Sequence, residues 1–350
     1  MGRSTQGTDL ERRGGASLRS NPRPVVALSG GDSELGAAVV QSLERDGAAA
    51  AIVTLGIRPC RLAGPRTRHY HVELELPGAT ARIAEILEAE RVDAVLHLAP
   101  MQAPTRQPEW AHEAETVGTM HLLGALRLRP PRRLLVASTT LVYGPRPDNP
   151  GLLTEGHPLR GLEHSRFLRD KLDIERQTAA FAEQTPSTCT TVLRMASILG
   201  PRVIDGWASR WLRASWVPTV LGFDPPLQLV HERDAVRAIR LALEHDVSGP
   251  INIVGSGLVR VSTAATLAGR RTVPLPAALA GALLQAVWSV GAADTPPELA
   301  SILRWGCVAD GELARRQLGF TASHGIRQAL LELGGELRLR AARLLPPEPR

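Results

Sequence analysis

The chain reads as an α/β protein built on a doubly wound parallel sheet with a smaller C-terminal lobe. Three observations carry that reading. Short apolar runs alternate with helix-period segments from Val25 to Leu199, the runs are continuous rather than alternating in polarity, and the first ends in a glycine-rich turn. Continuous runs mark strands covered on both faces, the usual state of a parallel sheet.

In chain order, Val25–Leu28 reads as the first strand, Leu35–Leu43 as the helix after it, Ala50–Leu55 as the second strand and His69–Val72 as the third. Ile83–Glu90 is helical in pattern, Asp93–Leu98 is a fourth strand, His112–Leu126 a helix and Arg133–Ser138 a fifth strand. Phe167–Phe181 follows as a helix and Thr190–Arg194 as a sixth strand. Beyond Leu199 the alternation loosens. Gly200–Val230 is rich in Pro, Gly and Trp, Asp234–Leu243 returns to a helix, Pro250–Val254 to a strand, and the remainder is mostly helical. The expected organisation is a sheet domain from residues 23–199 and 231–257, and a lobe from 200–230 and 258–335. Residues 1–22, rich in Ser, Gly, Thr and Arg, are expected to be a flexible basic arm, and 336–350 a flexible basic tail.

Composition narrows the function. At 350 residues and 43% hydrophobic content the chain can bury a large core. The net charge of +6 is interspersed along the body and concentrated toward the ends, without a basic stripe interleaved with aromatics, so specific nucleic-acid binding is not expected. Cys60, Cys189 and Cys307 are far apart and odd in number, which argues against a disulfide framework or a metal site and for a reducing, cytoplasmic setting. Residues 1–21 lack the apolar core of a secretory leader. Val273–Ala293 is uncharged, but Pro274, Pro276 and Gln285 favour a buried or amphipathic helix starting after Pro276, with membrane contact at most peripheral.

The turn Ser29-Gly-Gly-Asp-Ser-Glu-Leu-Gly36 lies where such a fold presents backbone N–H groups and a helix N-terminus to a pyrophosphate. Gly30 suits the tight turn and Gly36 the close helix packing, while Ser33 stands where a middle glycine is usual. The second strand ends in Leu55-Gly56 with Arg58 and Arg61 beyond, rather than in a carboxylate for ribose hydroxyls. That pattern favours NADP slightly over NAD, and the same residues also suit a solvated loop.

Taken together, the turn, Val95-Leu-His-Leu-Ala99, Ser138-Thr-Thr-Leu-Val-Tyr-Gly144, Leu193–Arg202, Leu229–Ala235, Ile251–Gly255 and Leu318-Gly-Phe320 resemble the extended short-chain dehydrogenase/reductase family, in its NAD-dependent epimerase/dehydratase group. The resemblance spans roughly Pro24 to Phe320 and implies a Rossmann-type cofactor domain, a substrate lobe commonly used on nucleotide sugars, and a homodimer. It implies cofactor contacts at Ser29, Gly30, Gly31, Ser33, Leu35, Gly36, Arg58, Glu73, Leu98, Ala99 and Lys171, and substrate contacts at Arg202 and His231.

Its chemistry implies a hydroxyl at Thr139, a tyrosine acid/base at the position of Phe167, a lysine at Lys171 and an asparagine at the position of Glu115. A hydride leaves a carbinol carbon only as its hydroxyl proton is removed, and Phe167 cannot take that proton. Tyr143 and His164 are the candidate substitutes. Lys171 is the only lysine beside 40 arginines, and an arginine does not replace a compact ammonium packed on a ribose. Two functions follow: an epimerase/dehydratase-type enzyme of atypical acid/base chemistry, or a non-catalytic NAD(P)-binding sensor or scaffold.

Overall fold

The computed structural model describes residues 23–98, 104–204, 206–214 and 216–342. The expected basic arm and Ala99 lie outside them. The chain runs β1 (Val25–Ser29), α1 (Glu34–Asp46), β2 (Ala51–Gly56), β3 (Thr67–His71), α2 (Ala79–Ala89), β4 (Ala94–His97) and α3 (Pro108–His112). A π-helical turn (Glu113–Val117) leads into α4 (Gly118–Leu128), then β5 (Arg133–Thr139), a short 3₁₀ turn (Thr140–Tyr143), α5 (Arg166–Gln184) and β6 (Cys189–Met195). Next come β7 (Ser197–Leu199), α6 (Trp207–Arg213), β8 (Trp216–Val220), β9 (Pro226–Leu227), β10 (Leu229–His231), α7 (Glu232–Glu244) and β11 (Gly249–Ile253). The chain ends with β12 (Val259–Arg260), α8 (Val261–Leu267), β13 (Arg271–Leu275), α9 (Ala280–Ser289), α10 (Leu299–Trp305), α11 (Glu312–Leu318) and α12 (Ile326–Ala341).

The main sheet has seven parallel strands in the order β11-β6-β5-β4-β1-β2-β3. Period-two alternation sends Val26 and Leu28 to one face, under Val39, Val40 and Leu43 of α1 and Ala238 and Ile239 of α7. Ala27 and Val53 go to the other, under Ile83 of α2, Leu122 and Leu126 of α4 and Phe181 of α5. Both faces are therefore dry, which is why the strands read as continuous apolar runs. The winding reverses between β1 and β4, and Ser29 and His97 lie side by side in register at the carboxyl ends of those strands.

A separate core builds the lobe around Trp207, Trp211, Val217, Leu299 and Leu330. Trp207 and Trp211 are thus core residues, while Trp216 is exposed on the edge of β8. Three expectations change. The helix expected over His112–Leu126 begins at Pro108, a favoured first-turn residue, and is widened by the π turn that turns Glu115 and Thr119 inward. The segment from Ala314 to Phe320, expected in the lobe, packs instead into the sheet-domain core with α7. The expected flexible tail is helical as far as Ala341, because Glu336 forms an ion pair with Arg213 in which both side chains are largely buried. The uncharged stretch Val273–Ala293 divides between β13 and the ten-residue α9. Among the described residues no helix is long and apolar enough to cross a membrane.

Candidate functional site

The strand order reverses between β1 and β4, and doubly wound folds take ligands at the carboxyl edge of the sheet beside such a switch. The glycine-rich turn borders it. Gly30 has φ +75°, and a Cβ on Gly36 would stand 2.0 Å from the Gly30 carbonyl oxygen, so helix and turn touch backbone to backbone. Ser33 caps α1, its Oγ accepting from the Gly36 N–H at 3.0 Å and donating to the Gly30 carbonyl at 2.7 Å. Its side chain is thereby folded back onto the turn. The two carboxylates nearby are also engaged, Asp32 with Arg58 at 3.1 Å and Glu34 with the Ile204 N–H. Leu35 is buried behind the turn, and Leu98 is buried with its N–H donating to the Ser29 carbonyl at 3.1 Å.

A buried relay runs from this turn into the π turn. The Thr119 hydroxyl donates to the Glu115 carbonyl at 2.5 Å, so it accepts from His97 Nε2 at 2.8 Å, and His97 Nδ1 accepts from Ser29 Oγ at 2.6 Å. That arrangement requires a neutral imidazole. Burial, aided by the nearby Lys171 charge, pushes the His97 pKa down to about 3.

The relay ends at the residue that grips the single lysine. Lys171 donates to the Glu115 carboxylate, and both side chains are almost wholly buried. Burial lowers the Lys171 pKa while Glu115 opposes the fall. The ammonium also lies 5.1 Å from the centre of the Phe167 ring, one turn earlier on α5. A carboxylate and a bare aromatic ring therefore meet at one cation.

Phe167 and Glu115 line a cleft of about 170 Å³, together with His164, Asp170, Trp288 and Glu298. His164 is exposed at its rim. Asp170 is buried and bonded to His112 Nδ1 at 2.7 Å. Glu298, which the sequence reading did not single out, comes from the lobe; its Oε1 accepts from Ser165 Oγ at 2.8 Å. Thr139 ends β5 with its Oγ accepting from the Leu141 N–H at 3.3 Å.

Other expected residues are placed elsewhere. Tyr143 is fully buried, donates to Asn252 at 2.7 Å and accepts from Arg194 at 3.0 Å, so its phenol is tied into the β6–β11 side of the sheet and does not line the cleft. Arg202 reaches Gln41 on α1 at 2.6 Å. His231 caps α7, stacks on His324 at 4.3 Å and meets Glu332 at 3.3 Å. Neither Arg202 nor His231 lines the cleft beside Phe167. Glu73 is half-exposed, 3.5 Å from His71.

A family model described as NAD dependent epimerase/dehydratase family matches residues 26–255. The uncharacterized protein Rv0501 of Mycobacterium tuberculosis is 34% identical over 245 residues, covering 68% of this chain and 64% of that protein, so the chain spans less than two thirds of that relative's length. Among solved structures, UDP-glucose 4-epimerase of Thermotoga maritima with UDP-glucose is similar with a TM-score of 0.69 and 20% identity, over 91% of this chain and 99% of that one. DesIV, a dTDP-glucose 4,6-dehydratase from Streptomyces venezuelae solved with NAD, is similar with a TM-score of 0.71 and 19% identity, over 91% and 98%. At these identities the solved structures establish a shared fold.

Proposed function

The chain belongs to the NAD-dependent epimerase/dehydratase family, and from that premise we propose that it binds NAD along the carboxyl edge of the sheet beside β1 and β4 and acts on a nucleotide sugar held between the sheet domain and the lobe. The observation that carries this reading is the placement of Lys171: the single lysine is buried on α5 and held by Glu115, and a buried relay links Glu115 to the glycine turn through Thr119, His97 and Ser29.

The residues present fit the dinucleotide. The backbone contact between Gly30 and Gly36 brings the turn close against the start of α1, and Ser33 is folded back as its cap. Lys171 carries three N–H donors and directs one at Glu115, which leaves others for ribose hydroxyls. When bound, NAD supplies the hydride acceptor. Thr139 orients the substrate oxygen, and Phe167 excludes water beside Lys171 without exchanging a proton. NAD is the form proposed over NADP, because the matching family model is NAD dependent and a solved neighbour, DesIV, holds NAD. A homodimer is proposed through α3 and α4, where Trp110 and Met120 are exposed.

The test mixes purified protein with NAD and, separately, UDP-glucose, UDP-glucuronic acid or dTDP-glucose. Absorbance of bound NADH and NMR of the sugar are followed. Reduction or sugar conversion with one of them is expected. NAD binding with no conversion of any probe favours the sensor or scaffold reading, which draws on Phe167 lacking a proton to exchange.

A further inference from the structure

We propose that Glu298 is the proton acceptor for the substrate hydroxyl, taking over the role that Phe167 cannot perform. This rests on the proposed function above and deepens it. Of the acidic and imidazole groups on the cleft, Glu115 is engaged by Lys171, Asp170 is bonded to His112, and His164 is exposed. Glu298 is different. It is 9% exposed, its Oε1 is fixed by Ser165, and its Oε2 is buried with no hydrogen-bond partner.

A buried carboxylate oxygen without a donor is costly, and its natural complement is an incoming hydroxyl. The fixing is built in. Ser165 Oγ also accepts from the Leu168 N–H at 3.2 Å as the N-cap of α5, so the carboxylate is fastened to the start of the helix that carries Phe167 and Lys171. On the lobe side, Pro296 and Pro297 precede Glu298 and restrict the backbone that carries it. The carboxylate is therefore held from both sides of the cleft that Phe167 also lines.

In the step assigned to it, the O–H bond of the substrate carbinol breaks and the proton passes to Glu298 Oε2. The carbonyl would form as the C–H electron pair leaves as hydride, for which bound NAD would supply the two-electron acceptor. Returning the hydride and the proton closes the cycle.

The experiment compares wild type, Glu298→Gln and Glu298→Ala, each loaded with NAD and mixed with UDP-glucose, UDP-glucuronic acid or dTDP-glucose. NAD affinity, sugar-nucleotide affinity and melting temperature are measured beside the rate of NADH formation. Glutamine keeps the acceptor for Ser165, so folding and NAD binding are expected to stay near wild type while the rate falls about 100-fold or more. Added formate is expected to restore part of the rate in Glu298→Ala, an effect a purely structural residue would not show. A Glu298→Gln rate within threefold of wild type, roughly the scatter of context effects rather than the loss of a general base, overturns the assignment and leaves the proposed function intact. No reduction by wild type with any probe overturns both, and the NAD titration then shows whether the cofactor or the substrate reading failed.

Discussion

Two buried ion pairs sit one helical turn apart on α5, and they are built differently. Arg194 uses all three of its nitrogens: Nε and one terminal nitrogen grip Glu175 at 2.6 to 3.1 Å, and the other donates to Tyr143 and the Glu155 carbonyl, each at 3.0 Å. Ser138 donates to the same Glu175 carboxylate at 2.5 Å. Nothing there awaits a ligand. Lys171 is as deeply buried, yet its partner Glu115 borders an open cleft and its other neighbour is an aromatic face. A planar fork saturated by protein groups makes a strut joining β5, β6 and α5, whereas a compact ammonium with donors in reserve suits the binding role proposed for Lys171.

Breaking the strut is expected to have the largest effect. Arg194→Met leaves the Glu175 carboxylate buried without its cation and is expected to cost about 3–5 kcal/mol in chemical denaturation. Lys171→Met should destabilise by a similar amount, so stability alone does not separate the pairs. Ligand binding does.

The relay behind Lys171 should give the molecule an acid-sensitive stability. His97 has a folded-state pKa of about 3 against 6.5 for the free side chain, so between those values the unfolded chain binds the extra proton and stability rises with pH. Acidification through that window should cost up to roughly 1.4 kcal/mol per pH unit, and His97→Asn should flatten that dependence. The check is denaturant unfolding at a series of pH values.

Smaller effects sharpen the contrast. Phe167→Tyr adds one oxygen to a half-buried ring at the cleft and should change stability by less than about 1 kcal/mol. It should also raise NADH formation, since it returns a phenol beside Lys171. Arg58→Ala breaks only a surface pair with Asp32, and stability is expected to move by well under about 1 kcal/mol with NAD affinity nearly unchanged.

Much of this was legible in the sequence wherever the backbone itself imposes a residue. Gly30 and Gly36 mark the turn because a side chain at Gly36 would collide with a carbonyl, and the strands are visible because both faces of the sheet are dry. Lys171 stood out by being the lone lysine, and Glu115 by standing where the family resemblance implies an asparagine. Their pairing was not legible: they are 56 residues apart, and the π turn that aims Glu115 inward has no periodic signature. The tie of the Tyr143 hydroxyl to Asn252 of β11 and Arg194 of β6 was not legible either, because those partners lie 109 and 51 residues away. Glu298 reaches the cleft only through packing of the lobe against α5.

The most direct test of the central claim is calorimetric titration with NAD of wild type, Lys171→Met and the double variant Lys171→Met/Glu115→Leu. Removing both charges should recover much of the stability lost in the single variant. The expected result is that wild type binds NAD, and that the stable double variant binds it at least about tenfold more weakly, equivalent to about 1.4 kcal/mol. A double variant that binds NAD as tightly as wild type would make Lys171–Glu115 a second strut and contradict the account.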